Sequence, residues 1–269
     1  MDVPTVNFGF STCPNDTFAF HALVHGLVPG PRVVPFMDDI EVLNQRAERG
    51  EAEVTKVSMA AYGRIRDRYL LLRAGGAAGF GVGPIVVARE PRPGGGRIAI
   101  PGERTTAAML LRLLGRFETV PMRFDRIDDA VLAGEVDCGL LIHEGRFTYQ
   151  GKGLVLLEDL GTVWEARMQC PLPLAAIAVR RDLARQIGKA MDHALGASVE
   201  YAFAHPEASR DYVRQHAQEM DPDVTARHIA LYVNDYTKAI DERAVAAFVG
   251  WAEGELLFPK ADPALPMFV

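Results

Sequence analysis

His143 closes the apolar run Cys138-Gly139-Leu140-Leu141-Ile142 and opens a loop, Glu144-Gly145-Arg146-Phe147-Thr148-Tyr149, crowded with functional side chains. An imidazole at the C-terminal end of a buried strand is well placed for proton transfer, because its ordinary pKa lies near neutrality. The same position also suits a hydrogen-bonded structural histidine, and the residues alone leave both roles open. If His143 is a base with an ordinary pKa, activity falls below an apparent pKa of roughly 6–7. A second set of residues shares one geometry: polar side chains where a strand ends and a helix begins. Ser11 to Thr17 reads Ser-Thr-Cys-Pro-Asn-Asp-Thr, Lys56 and Ser58 stand at the next junction, and Thr105 and Thr106 at another. Helix N-termini offer free N–H groups and a partial positive charge, so three of them converging make an anion site. Capping alone explains any one Ser or Thr at such a place. Lys56 is different: it ends a short apolar strand, where a cation needs a partner or a ligand.

Other patterns carry less. Gly79-Phe-Gly81-Val-Gly83 precedes a strand instead of opening a helix, so it is no dinucleotide fingerprint. Pro101 to Thr106 lies between strand and helix but lacks the Gly-Lys-Ser/Thr of a phosphate loop. His21 and His25 stand four apart on a helix, yet no Glu follows His21, and the zinc-protease pattern fails. A partly buried His21 and a solvated His25 are expected there. His193, His205, His216 and His228 fall in charged helical stretches and read as surface residues.

These residues need elements to position them. Strands are expected at Val6–Phe10, Val33–Met37, Val54–Val57, Leu70–Arg73 and Pro84–Ala88. Helices are expected between them: Thr17–His25 capped by Asn15 and Asp16, one after Asp38 with Ile40, Leu43 and Ala47 on its inner face, and Met59–Arg66 capped by Ser58. Glu90 to Gly96 is the strongest break in the chain. A second series follows: strand Arg97–Ile100, helix Thr105–Phe117, strand Val120–Phe124, helix Ile127–Ala133, strands Cys138–Ile142, Leu154–Leu157 and Leu174–Val179. Beyond Arg181 the pattern is helical near Asp182–Ala204, Pro206–His216, Pro222–Tyr232 and Glu242–Leu257. Such alternation means α/β layers around mostly parallel sheets. The fully apolar strands at 84–88 and 174–179 read as the two crossings of a two-lobed α/β protein. Residues 1–88 and 181–269 would form the larger lobe and 89–180 the smaller, with a ligand cleft between them.

The chain's 269 residues bury a sizeable core, and 49% apolar with 24% charged residues excludes disorder. With 29 basic against 35 acidic residues and no basic run, nucleic acid is not an expected partner. No apolar stretch approaches the roughly 20 residues of a membrane span, and Met1 to Pro4 shows no export signal. Three cysteines without a Cys-x-x-Cys argue against a disulfide framework or structural zinc and for the cytoplasm.

The stretch Gly9-Phe-Ser-Thr-Cys-Pro-Asn-Asp-Thr-Phe18, with Ala22 to Gly26, resembles the opening of the 1,4-dihydroxy-6-naphthoate synthases of the futalosine route to menaquinone. Further matches run in order: Thr55 to Ser58, Gly81 to Pro84, Pro101-Gly-x-x-Thr-Thr106, Ile142 to Glu144, Arg146 to Tyr149, and Pro171 to Leu174. The resemblance implies a two-lobed fold similar to type II periplasmic binding proteins. It implies a lyase that cleaves cyclic dehypoxanthinyl futalosine, a small anionic substrate, to 1,4-dihydroxy-6-naphthoate, with no cofactor and no metal. It puts the catalytic base on His143 and substrate contacts on Lys56, Val57, Ser58, Thr105 and Thr106, with Asn15, Asp16 and Thr17 in the signature loop. A chorismate dehydratase-like sister enzyme and a binding protein for a small organic anion are the alternatives. The oligomeric state stays open, a homodimer among the options.

Overall fold

Phe8, Phe10 and Phe20 pack into one core cluster, tilted or edge-on, with ring centroids 5.0–5.4 Å apart. The strand and helix that carry them set the pattern for the chain. The computed structural model describes residues 4–91, 96–218, 221–259, 262 and 264–269. Part of the Gly/Pro break at 90–96 and the residues 1–3 therefore lie outside the described residues.

The first part runs β1 (Thr5–Phe10), α1 (Pro14–Val24), β2 (Arg32–Met37), α2 (Ile40–Glu48), β3 (Val54–Ser58), α3 (Met59–Ile65), β4 (Tyr69–Leu71) and β5 (Ala77–Gly79). The middle runs β6 (Ile85–Ala88), β7 (Arg97–Ile100), α4 (Thr106–Leu110), β8 (Glu118–Pro121), α5 (Ile127–Ala133), β9 (Cys138–Leu141), α6 (Gly145–Thr148), β10 (Val155–Asp159) and α7 (Leu160–Met168). The chain ends with β11 (Leu172–Arg180) and helices α8 (Arg181–Leu183), α9 (Lys189–Ala204), α10 (Arg210–His216), α11 (Pro222–Tyr232), α12 (Asp235–Lys238) and α13 (Glu242–Gly254). Among the described residues, no helix is long and apolar enough to cross a membrane.

Two sheets result. The first has the order β2-β1-β3-β11-β4, with β5 also on β11; the second has the order β10-β6-β9-β7-β8. The sheets are mixed, not mostly parallel as expected. β1 runs parallel to β2 and β3, and β7 parallel to β8 and β9, whereas β11 and β6 run antiparallel to their neighbours. The antiparallel strands β6 and β11 are the two that follow the connections from one sheet to the other. β6 belongs to the second sheet and β11 to the first, so both fall on the other side of the boundaries expected after 88 and 180. Either strand is buried along nearly its whole length, which is why its sequence reads as apolar whichever sheet it joins.

Several element ends differ from the expected ones for local reasons. α1 starts at Pro14, a residue preorganised for a first helical position, so Asn15 and Asp16 lie inside the first turn and are not caps. α2 is capped by Asp39, whose carboxylate accepts from Glu41 N–H, and not by Asp38. The helix expected to reach Phe117 is one turn of α4 continued as a 3₁₀ turn over Leu111–Leu113, and a left-handed Gly115 follows. The helix expected at Asp182–Ala204 is continuous over 181–204, with a π-turn over Ala184–Gly188 inside it.

At the hinge, the two connections run against each other. Leu172 and Pro173 pair with Gly79 and Ala78, and Leu160 N–H donates to the Pro84 carbonyl at 3.0 Å. Gly83 lies so near Gly161 that a Cβ there would overlap the Gly161 backbone. Arg146 ties the same point, donating to the Gly83 carbonyl and to Asp159 at 2.6 Å each. Gly83→Ala is expected to cost about 1–3 kcal/mol in urea denaturation, the usual range for forced overpacking; an unshifted midpoint would mean the crossings separate freely.

Candidate active site

Lys56 sits within β3, opposite Ile177 of β11, and its side chain is 6% exposed. A cation there cannot stay unpaired, and its partner is Asp16 of α1, itself 2% exposed. Asp16 organises everything around it. One carboxylate oxygen accepts from Ser11 N–H at 3.1 Å and Ser11 Oγ–H at 2.6 Å; the other accepts from Lys56 and from Asn15 Nδ2 at 2.9 Å. Of the partner or ligand that the cation was expected to need, the protein supplies the partner.

The hydroxyls next to this pair are fixed in different ways. Ser58 stands at the N-cap of α3 without capping it; it exchanges two hydrogen bonds with Asn44 of α2, at 2.8 and 3.0 Å. Thr105 caps α4, accepting from Ala108 N–H at 3.1 Å. Thr106 donates to the Leu174 carbonyl at 2.6 Å and accepts from Ala60 N–H at 3.3 Å, so it ties the second sheet's helix to the first sheet.

His143 follows β9 with φ +53°, a left-handed conformation unusual for a side chain with a Cβ. Its Nδ1 lies 3.5 Å from Cys13 Sγ, its ring meets Phe124 edge-on at 4.9 Å, and it stacks on His228 at 6.0 Å. Burial, then the Lys56 ammonium, pushes His143 down to about 4, against a smaller opposing pull from Asp16. Burial, with Glu144 and Asp16 adding, pushes the Cys13 thiol up, so the pair is a neutral thiol beside a neutral imidazole and not a thiolate–imidazolium couple.

Ser11, Asn15, Lys56, Ser58, Thr105, Thr106 and His143 line one cavity of about 80 Å³ between the sheets. Ser11, Ile40 and His143 also line a neighbouring cleft of about 620 Å³, walled further by Asp38, Asp39, Arg104 and Phe124. The other expected site residues are elsewhere. Asp16 supports the wall from behind. Val57 is fully buried in the apolar core. Thr17 is fully buried, and its hydroxyl donates back to the Cys13 carbonyl at 3.1 Å. His228, read as a surface residue, is fully buried, and its Nε2 lies 2.9 Å from Asn15 Oδ1. Its i, i+4 spacing to the buried Tyr232 marks an inward face of α11. His21 and His25 are not in the cavity; their rings pack 4.3 Å apart beside Tyr212. Among the described residues, no three His, Cys, Asp or Glu side chains are grouped to hold a metal ion.

The site thus offers a neutral imidazole, hydroxyl and amide groups, and a paired cation, all at the junction of two sheets. Residues 6–253 match the menaquinone biosynthesis family. A 1,4-dihydroxy-6-naphthoate synthase from Thermus thermophilus is 49% identical over 98% of this chain and 99% of its own, and one from Streptomyces coelicolor is 45% identical over 98% of each. A crystal structure of an Archaeoglobus fulgidus protein superposes with a TM-score of 0.90 at 38% identity, covering 94% of this chain and 98% of its own. An alkanesulfonate-binding protein from Xanthomonas axonopodis superposes at 0.72 with 14% identity, over 97% and 96% of the two chains, which places the fold with the periplasmic binding proteins. Lys56→Met leaves Asp16 buried and unpaired, and is expected to cost about 3–5 kcal/mol in chemical denaturation. A loss below about 1 kcal/mol would show that the pair is solvated.

Proposed function

The chain belongs to the menaquinone biosynthesis family, and from that premise we propose that it cleaves cyclic dehypoxanthinyl futalosine to 1,4-dihydroxy-6-naphthoate, with His143 as general base. The observation that carries this reading is the neutral imidazole of His143 on the cavity between the sheets. When a hydroxyl loses its proton, its oxygen can become a carbonyl as the neighbouring carbon–carbon bond breaks, the bonding pair passing to the departing carbon where an electron-accepting group of the substrate holds it. His143 is unprotonated throughout the neutral range and can accept the hydroxyl proton. Its low basicity limits the driving force until substrate binds. An anionic substrate then raises the imidazole's proton affinity in the complex, because opposite charge stabilises the imidazolium.

The cavity suits the rest of such a substrate. Thr105, Thr106 and Ser58 present hydroxyls where a carboxylate or sugar oxygen can bind, and Ile142, Leu174 and Val82 supply apolar wall for a flat ring system. Lys56, neutralised by Asp16, contributes a buried dipole instead of a bare positive charge. Closing the cleft would exclude water and strengthen each of these contacts.

The test is turnover by the pure protein, with product followed chromatographically. Formation of 1,4-dihydroxy-6-naphthoate is expected; dehydration of chorismate, or tight binding with no turnover, would overturn the assignment. His143→Ala is expected to lower kcat by about 10²–10⁴-fold with KM nearly held. The wild-type acid limb in kcat/KM is expected near pH 4 and not at the 6–7 of an ordinary histidine. A folded alanine variant within a few-fold of wild type would make His143 structural.

A further inference from the structure

We propose that His228 is a positioning residue for this site: its Nε2–H orients the Asn15 amide so that Asn15 turns an N–H, and not an oxygen, toward the cavity. Asp16 fixes the orientation of Asn15. Its carboxylate accepts from Lys56 and Ser11 and has no proton to give. The Asn15 atom facing it at 2.9 Å must then be the amide nitrogen. That leaves Asn15 Oδ1 facing His228 Nε2 at 2.9 Å, and an oxygen there requires a donor. The His228 proton is therefore on Nε2, and Nδ1 is bare. Asn15 lines the cavity, and Nδ2 gives one of its two hydrogens to Asp16; the other is the polar group Asn15 can offer a ligand.

The surroundings of His228 support a task beyond filling space. The ring is fully buried, and Nδ1 has no hydrogen-bond partner among the described residues. An apolar residue would fill the same volume without an unmet acceptor, so the histidine is explained by the one bond it makes. Burial, with His143 and Lys56 adding, holds the imidazole well below its ordinary pKa, which keeps it neutral, and the Asn15 oxygen then selects the Nε2–H tautomer. The contact also joins distant parts of the chain, since His228 lies on α11 and Asn15 on α1. The His228 ring in turn backs His143 of the other sheet, at 6.0 Å and 18°.

The activity readout rests on the function proposed above; the tautomer readout does not. In wild-type protein labelled with ¹⁵N-histidine, NMR at pH 7 is expected to show His228 as the Nε2–H tautomer, and a Nδ1–H tautomer would overturn the proposal. His228→Leu is expected to raise KM by about 10–100-fold, the scale of one or two lost hydrogen bonds, with kcat within about threefold. His228→Gln can place an amide N–H where Nε2–H was, and is expected to stay within about threefold of wild type. In an Asn15→Ala background, His228→Leu is expected to add less than about twofold, because it acts through Asn15. A folded Leu variant with wild-type KM, a Gln variant as impaired as Leu, or losses that multiply in the double variant would each refute the linkage. Wild-type inactivity together with the Nε2–H tautomer would strike the functional reading and leave this one standing.

Discussion

The buried ion pair between Lys56 and Asp16 is the constraint from which the site is built. An ammonium enclosed by β1, β3 and β11 and an unpaired carboxylate in the first turn of α1 would each cost several kcal/mol alone. Together they are tolerated because the carboxylate also gathers Ser11 and Asn15. The start of α1 adds the positive end of a helix dipole beside the carboxylate. Once Asp16 is fixed, the β1–α1 loop, the Asn15 amide and the floor of the cavity follow. The pair also acts at a distance: the Lys56 ammonium is one of the causes that keep His143 unprotonated.

The fold supplies the second half of the site from a different sheet. β9 ends at Leu141, and His143 turns through a left-handed backbone toward Cys13 of the first sheet's loop. Thr106 reaches across in the same sense, to Leu174 and Ala60. The cavity is thus assembled from two sheets, joined by the 80–84 and 160–171 connections, by such contacts, and by the Arg104 ion pairs with Glu41 and Glu48. The imidazole of His143 stands on one wall, with hydroxyl and amide groups of the other sheet facing the same cavity.

Much of this was readable in the sequence, and the exceptions have physical causes. α5 and α11 have the ends their periodicity implies, because each has an amphipathic face and a clear start or stop: Gly134 in αL after the first, Asp221 and Pro222 opening the second. Lys56, Ser58, Thr105, Thr106 and His143 stand out because strand-to-helix junctions concentrate at one edge of an α/β sheet. Lys56's partner did not stand out: Asp16 is 40 residues away and resembles a cap, and the proline that displaces it to the helix interior acts through backbone geometry alone. His228 is hidden for the opposite reason. It lies on a helix whose neighbours Arg227 and Ala230 are exposed, and only the fold brings its inward face to Asn15. The depressed pKa of His143 is likewise a property of enclosure, which no local pattern records.

The most direct test of this account is the titration of His143 in the ligand-free protein, followed by ¹⁵N–¹H NMR of its ring from pH 8 downward, with His143→Ala identifying the signal. The account predicts a neutral imidazole through pH 5, with protonation only near 4 or on acid unfolding. A half-protonated His143 near pH 6.5 in the folded protein would contradict it, because the ion pair and the enclosure would then not be setting the state of its ring.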